Sequence, residues 1–132
     1  MNKLLQRPAL EDHSFVQGAG GAFVAELAKF QKEIKFKAGD VLFREGQYAD
    51  KFYLMLEGTV AIEADISPGG EPVLIQNVQG GDVLGWSWFY APYIWHFSAR
   101  ARSDGKALVF NAPALLVHAE ENPVFGYQLT KR

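Results

Sequence analysis

Two neighbouring stretches decide the fold of this chain, FKAGDVLFREG at residues 36–46 and FYLMLEGTV at residues 52–60. Both are rich in β-branched, aliphatic and aromatic residues, and glycines interrupt them at short intervals. Short apolar runs cut by glycine are typical of antiparallel rolls and sandwiches. The same texture continues along the chain and predicts strands at residues 34–36, 41–44, 51–57, 59–64, 72–77, 83–84, 96–101 and 107–111. The sequence therefore predicts a mainly β protein.

Two features of the turns predict how these strands are connected. The tetrapeptide GDVL at residues 39–42 recurs at residues 81–84. A repeated Gly-Asp pair predicts two equivalent corners, because glycine adopts positive φ and the aspartate side chain bonds backbone beyond the turn. Glu57 and Gly58 join two predicted strands with almost no loop, which predicts a tight hairpin.

Helices are predicted on either side of the strands. Phe23, Leu27, Phe30 and Ile34 recur at helical spacing and predict a helix that covers the core. Asn111 is a predicted N-cap for a helix at residues 112–121, and a further helix begins at residues 122–123. We predict a flexible N-terminal segment with a short helix at residues 1–20, then one domain at residues 21–132 that ends in the start of a C-terminal helix.

Composition narrows the classes of function. The 132 residues suffice for one domain, no cysteine is present, and the net charge is −2 without a cluster of lysine and arginine. We therefore expect a cytoplasmic chain that does not bind DNA by itself and has no membrane segment. The histidines lie far apart, so we predict neither a metal site nor catalytic residues, and no enzyme. A small metal-dependent enzyme of the cupin type is the competing hypothesis.

Residues 36–60 resemble the first half of a cyclic nucleotide-binding domain, with its Gly-Asp corner, acidic-Gly turn, aromatic-rich strand and Glu-Gly pair. The resemblance covers roughly residues 15–132 and implies an antiparallel double-stranded β-helix, or jelly roll, with flanking N- and C-terminal helices. In the related Crp/Fnr-like regulators the last helix continues into a dimerisation helix. The resemblance thus implies a signal-transducing sensor that forms a homodimer through a C-terminal helix.

The ligand cassette of that family reads Gly-Glu-Leu, a short helix, and then Arg-Ser/Thr-Ala. The resemblance implies that the carboxylate accepts the ribose hydroxyl and the arginine pairs with the cyclic phosphate. Here Gly85 matches the glycine, Trp86 stands at the carboxylate position, and Trp95 or His96 stands at the arginine position. A buried phosphate without a cation is costly, so we predict a degenerate cassette. The candidate ligand-contacting residues are Gly85, Trp86, Ser87, Trp88, Phe89, Trp95, His96, Phe97, Ser98 and Arg100.

Three interpretations of this cassette stay open. Its aromatic side chains fill the nucleotide space and leave a dimerisation or interaction module, or they line a pocket for an aromatic small-molecule effector. In the third, a cyclic nucleotide binds through Arg100 or Arg102, which requires the strand face shared by His96, Ser98 and Arg100 to line the pocket. We predict a ligand-sensing regulatory domain that does not bind cyclic AMP in the usual way, with the filled module as the alternative.

Overall fold

Eight strands form two four-stranded antiparallel sheets in the computed structural model, which describes residues 10, 13–64, 69–84 and 94–130. The strands are β1 Gln31–Phe36, β2 Val41–Phe43, β3 Lys51–Glu57, β4 Thr59–Ala64, β5 Val73–Gln79, β6 Val83–Leu84, β7 Ser98–Ala101 and β8 Gly105–Asn111. The first sheet has the order β1-β8-β3-β6 and the second β2-β7-β4-β5. The predicted antiparallel jelly roll is confirmed.

Helices flank the roll at both ends. The chain has a one-turn 3-10 helix at Ser14–Val16, α1 at Gly21–Ala28, α2 at Ala112–Glu121 and α3 at Pro123–Thr130. The side chain of Asn111 accepts a hydrogen bond of 2.9 Å from the backbone N–H of Ala114, which confirms the predicted N-cap of α2.

Buried side chains cover both faces of the first sheet. Phe52, Leu54 and Met55 of β3 are fully buried, and so are Val60 of β4 and Phe110 of β8. Phe52 contacts Phe15 of the 3-10 helix, whereas the neighbouring Tyr53 contacts Phe43 of the second sheet. Because side chains alternate along a strand, the first sheet packs against the second sheet on one face and against the helices on the other.

The helix predicted from the apolar spacing ends earlier than expected. The N–H of Phe30 donates to the carbonyl of Leu27 at 3.0 Å, a tightened last turn, and Ile34 already lies in β1 opposite Ala107. The placement of Ile34 on the helical stripe was wrong, because pairing with β8 competes successfully with helix propagation.

The tight hairpin predicted at Gly58 is also wrong. β3 belongs to the first sheet and β4 to the second, so Gly58 carries the chain from one sheet to the other. A Cβ atom on Gly58 would lie 2.6 Å from the carbonyl oxygen of Asp104. Glycine is therefore needed here for the close approach of two backbones, whereas a hairpin would need it for the turn.

The repeated GDVL tetrapeptides form two equivalent corners, as predicted, which we name the first corner (residues 37–41) and the second corner (residues 79–83). The glycine of each corner has positive φ, +96° at Gly39 and +93° at Gly81. Each glycine N–H donates to a strand carbonyl, Gly39 to Ala101 at 2.8 Å and Gly81 to Met55 at 2.9 Å. The two turns thus dock on neighbouring strands in the same way.

The aspartate of each corner closes the turn from inside. A side-chain oxygen of Asp40 accepts from the N–H of Lys37 at 2.9 Å, and that of Asp82 from the N–H of Gln79 at 2.8 Å. The bonded N–H lies three residues before the aspartate, so the expectation that the side chain bonds backbone beyond the corner was wrong in direction.

Candidate ligand pocket

One face of the second sheet is the wall of a pocket. Ile62 of β4 lies directly opposite Ala99 of β7 and Gln76 of β5, and Ala99 also lies opposite Phe43 of β2. Directly opposite residues in a ladder point to the same face. Phe43, Ile62 and Gln76 therefore form one row on the inner face, with the small Ala99 between them.

Trp95 packs against this row. Its side chain is only 4% exposed, and its ring stacks on that of Phe43 with centroids 3.7 Å apart and an angle of 11°. Its backbone is held at both ends, because its N–H donates to Gln47 and its carbonyl accepts from Gly46, each at 2.8 Å. The acidic-Gly turn therefore fixes the position of this ring.

The pocket beside Trp95 has a volume of about 270 Å³. Its lining is mostly aliphatic and aromatic, with the amide of Gln76 and the imidazole of His96 as polar groups. The described lining residues are Phe43, Ile62, Ile75, Gln76, Val78, Val83, Leu84, Trp95, His96 and Phe97. Such a wall suits a flat apolar molecule that carries one or two hydrogen-bonding groups.

Tyr53 lies behind the wall. Its ring centroid is 6.0 Å from that of Phe43, and its hydroxyl is 3.4 Å from the carbonyl oxygen of Leu42. Burial raises the pKa of the Tyr53 phenol to about 12. The phenol is therefore neutral at physiological pH and adds no charge behind the pocket.

The structure separates the predicted site residues into two groups. Trp95, His96 and Phe97 line the pocket, whereas Ser98 and Arg100 do not. Ser98 accepts a hydrogen bond from the N–H of Glu45 at 2.9 Å. Arg100 lies opposite Ala61 on the other face of the sheet, where its Nε is 3.3 Å from a carboxylate oxygen of Glu63.

Five predicted site residues lie outside the described part of the chain. They are Gly85, Trp86, Ser87, Trp88 and Phe89. Sequence reasoning missed the part of the second-sheet wall formed by Ile62, Ile75 and Gln76 on β4 and β5. Only the register of β4 and β5 places Ile62 and Gln76 in the row of Phe43, although Val83 and Leu84 could have been inferred from the corner that precedes them.

A polar contact joins the helices on the two sides of the roll. Nε2 of His118 in α2 lies 2.7 Å from a carboxylate oxygen of Glu26 in α1. This hydrogen bond lowers the pKa of Glu26. The His118 ring also contacts Phe125 of α3, with centroids 4.8 Å apart. The helices before and after the roll therefore form one packed unit.

The distribution of histidines and carboxylates bears on the competing metal-enzyme hypothesis. Within residues 10, 13–64, 69–84 and 94–130, no group of three or more histidines, aspartates and glutamates is placed to hold a metal ion. Over the same ranges, no helix combines the length and apolar character that crossing a bilayer requires.

The chain belongs to the cyclic nucleotide-binding domain family, whose model matches residues 33–122. It is also 34% identical over 83 residues to an uncharacterized ABC transporter ATP-binding protein of Mycobacterium tuberculosis. That match covers 61% of this chain and 24% of the relative, so the chain spans about a quarter of the relative's length.

Solved structures share the fold over nearly the whole chain. A Geobacter metallireducens protein assigned to the cyclic nucleotide-binding proteins has a TM-score of 0.83 at 25% identity, with coverage of 96% of this chain and 90% of that one. The N-terminal domain of a Streptomyces coelicolor transcriptional regulator has a TM-score of 0.78 at 23% identity, with coverage of 93% and 85%.

A third structure of this fold belongs to a protein that is bound to guanosine. The regulatory subunit of a cAMP-independent protein kinase A from Trypanosoma cruzi, bound to guanosine, has a TM-score of 0.72 at 18% identity. The match covers 95% of this chain and 48% of that one.

Proposed function

We propose that this chain is a regulatory sensor domain whose pocket takes a flat, uncharged aromatic ligand rather than a cyclic nucleotide. The observation that carries the proposal is the buried stack of Trp95 on Phe43, with ring centroids 3.7 Å apart. Trp95 stands just before β7, at one of the two positions where the resemblance implies the phosphate-binding arginine. An indole there supplies no charge for a phosphate, and the pocket beside the stacked pair has a volume of about 270 Å³, which leaves room for a ligand.

The charges around the pocket support this ligand class. None of the described lining residues is a lysine or an arginine. Arg100 pairs with Glu63 on the opposite face of the sheet, and its side chain is 47% exposed. A phosphate in this pocket would be desolvated without a cation to offset the cost. A neutral aromatic ligand would avoid that cost.

The guanosine-bound relative is consistent with this assignment. Guanosine carries no phosphate, and the Trypanosoma cruzi protein, about half of which shares this fold, is bound to it. A protein that contains this fold can therefore bind a ligand without a phosphate. For this chain, guanosine and cyclic GMP form a matched pair of probes because they share a base and differ in the phosphate.

Isothermal titration of the protein with this pair tests the proposal. We expect guanosine to bind at least as tightly as cyclic GMP, because the phosphate finds no cation. Cyclic AMP and adenosine should behave in the same way. Binding of cyclic GMP more than about tenfold tighter than guanosine would contradict the proposal, and its loss in Arg100→Ala would assign the phosphate contact to Arg100. A protein that binds none of the four would support the filled pocket.

Neighbouring residues of β5 provide a variant and its control. Gln76 lines the pocket, whereas Asn77 lies opposite Ala61 and so points to the other face. Gln76→Ala should weaken guanosine binding by about fivefold through the loss of one hydrogen bond. Asn77→Ala should leave the affinity unchanged. Equal effects of both substitutions would place the ligand elsewhere.

We also propose that the chain forms a homodimer through its C-terminal helix. Two apolar side chains of α3 are strongly exposed, Val124 at 79% and Tyr127 at 64%. They are separated by three positions and so share a face. Light scattering should show a dimer that Val124→Asp converts to a monomer. Val73→Asp, at another exposed valine on β5, is the control, and its equal effect or a monomeric parent would overturn the proposal.

A further inference from the structure

The second corner is held by a histidine from the N-terminal segment. His13 is 4% exposed and is the buried polar residue among those the structure describes. Its Nε2 lies 3.1 Å from the carbonyl oxygen of Met55, and its Nδ1 lies 3.0 Å from the N–H of Phe15. A carbonyl only accepts, so Nε2 carries the proton and Nδ1 is the bare acceptor. The ring is therefore neutral in this arrangement.

We name residues 13–17 the N-terminal clasp. The Oγ of Ser14 donates to the carbonyl of Gly81 at 2.6 Å, and the ring of Phe15 packs against Phe52 with centroids 5.0 Å apart. Met55, which His13 contacts, is also the strand residue that exchanges hydrogen bonds with the second corner. The clasp thus binds both the corner and the strand on which the corner docks.

The position of the clasp links it to the pocket. The second corner runs directly into β6, whose residues Val83 and Leu84 line the pocket. On its other side, the clasp is followed by Gly18 and Gly20, with φ of +78° and +85° and open space where a Cβ would stand. Two unobstructed glycines provide a hinge, so the clasp can leave the corner while α1 stays in place.

We propose that the N-terminal clasp controls the β6 wall of the pocket in a pH-dependent way. The clasp is docked on the second corner while His13 is neutral and is released when Nδ1 is protonated. A proton on Nδ1 would point at the N–H of Phe15, so that two donors would face each other. The cation would also be buried. The consequence for ligand affinity rests on the function proposed above, whereas the docking equilibrium does not.

The surroundings of His13 favour its neutral form, which is the form that docks. Burial lowers the pKa of His13 below 6.5, and the Met55 carbonyl and Asp82 oppose the shift. Among the described residues, Asp82 is the charged group that acts on the ring, and its carboxylate also accepts from the N–H of Gln79. Because the docked pKa lies below that of the released segment, docking is fully favoured above pH 6.5 and weakens as the pH falls through the docked value.

Nuclear magnetic resonance measures this gate without any ligand. We expect the His13 ring to titrate below pH 6.5. For each unit by which its pKa is lowered in the docked state, full protonation should weaken the docking equilibrium constant about tenfold. The hydrogen-exchange protection factor of the Phe15 amide should fall with the same midpoint. A His13 pKa at or above 6.5 would overturn the proposal, as would Phe15 protection that stays constant while His13 titrates.

Two variants remove the titration and retain one contact each. In His13→Asn the amide oxygen can replace Nδ1 as the acceptor for Phe15, and in His13→Gln the amide nitrogen can replace Nε2 as the donor to Met55. Phe15 protection should lose its pH dependence in both variants. His118→Gln, at the histidine of α2 that lies beside Glu26, should keep the dependence of the parent protein. Persistence of the dependence in both His13 variants would refute the assignment.

The coupling to the pocket is measured separately. Guanosine affinity should weaken in the parent protein over the pH range in which His13 titrates, and should stay constant in His13→Asn. If guanosine does not bind at all, the proposed function fails while the titration and exchange measurements still decide the gate. If guanosine binds with the same affinity throughout, the clasp does not act on the pocket.

Discussion

The two corners of the roll have the same internal hydrogen bonds but different neighbours. At the first corner, the N–H of Ala38 donates to a carboxylate oxygen of Asp104 at 3.0 Å. At the second corner, Ser14 and His13 bind the Gly81 and Met55 carbonyls. One corner is thus held by a loop of the roll, and the other by a segment that precedes it. The two corners therefore share their internal hydrogen bonds but differ in the segment that contacts them from outside.

This difference bears on the pocket because each corner leads into one of its walls. The first corner precedes β2, which carries Phe43, and the second precedes β6, which carries Val83 and Leu84. The wall that bears the stacked aromatic pair is fixed within the roll. The opposite wall depends on the docking of the N-terminal clasp. A sensor can be regulated through such an asymmetry, because one wall moves relative to a fixed one.

The largest effect is expected at Gly58, where close backbone approach is added to positive φ. Its φ is +87°, and a new Cβ would meet the Asp104 carbonyl oxygen at 2.6 Å. We expect Gly58→Ala to lower the free energy of unfolding by roughly 3 kcal/mol or more, because strain and steric overlap add. Urea denaturation measures this loss. A loss no larger than that of Gly39→Ala would show that the backbones separate easily.

The corner glycines should show a smaller effect that is equal at both sites. A Cβ added at Gly39 or at Gly81 would meet no atom within 4 Å, so only the backbone conformation opposes a side chain. Gly39→Ala and Gly81→Ala should each cost about 1 to 2 kcal/mol. Gly21→Ala is the control, since that residue begins α1 and should gain stability. Clearly unequal losses would break the equivalence of the corners.

The sequence predicted these corners because their chemistry is local. A glycine followed by an aspartate defines the turn, with the aspartate bonded to the N–H three residues before it. The repeat of this pair is what indicated two equivalent corners. Gly58 was misassigned because the choice between a hairpin and a change of sheet depends on packing against Asp104, which is distant along the chain. Ile34 was correctly predicted in a strand, but it was also placed on the helical stripe because helical spacing continued by coincidence into β1.

The candidate site was only half predictable for the same reason. Trp95, His96 and Phe97 were found because they fall in the cassette that resembles the family's. The row that faces them comes from strand register, which sequence periodicity does not determine across two strands. Arg100 shares a predicted face with His96, yet only His96 lines the pocket, because the chain enters β7 only at Ser98. His13 carried no motif.

The corner aspartates should contribute similar, modest amounts. Each side chain accepts one backbone N–H, at 2.9 Å for Asp40 and 2.8 Å for Asp82. We expect Asp40→Ala and Asp82→Ala each to lower the free energy of unfolding at neutral pH by about 1 kcal/mol, the value of one such hydrogen bond. Urea denaturation measures both losses. If one substitution left the free energy of unfolding unchanged, the equivalent hydrogen bonds would not contribute equally to stability.

The smallest effect distinguishes the corners most sharply. Asn at either position keeps a side-chain oxygen that can accept the backbone N–H, so Asp82→Asn and Asp40→Asn should preserve the turns while removing a charge. Asp82 raises the pKa of His13 against the stronger effect of burial. Asp82→Asn should therefore lower the His13 pKa further, and Asp40→Asn should leave it unchanged. The release of the clasp would then require a lower pH in Asp82→Asn alone. A titration of the His13 ring that is the same in both variants would show that Asp82 does not act on the clasp, and the second corner would then differ from the first only through its contacts with His13 and Ser14.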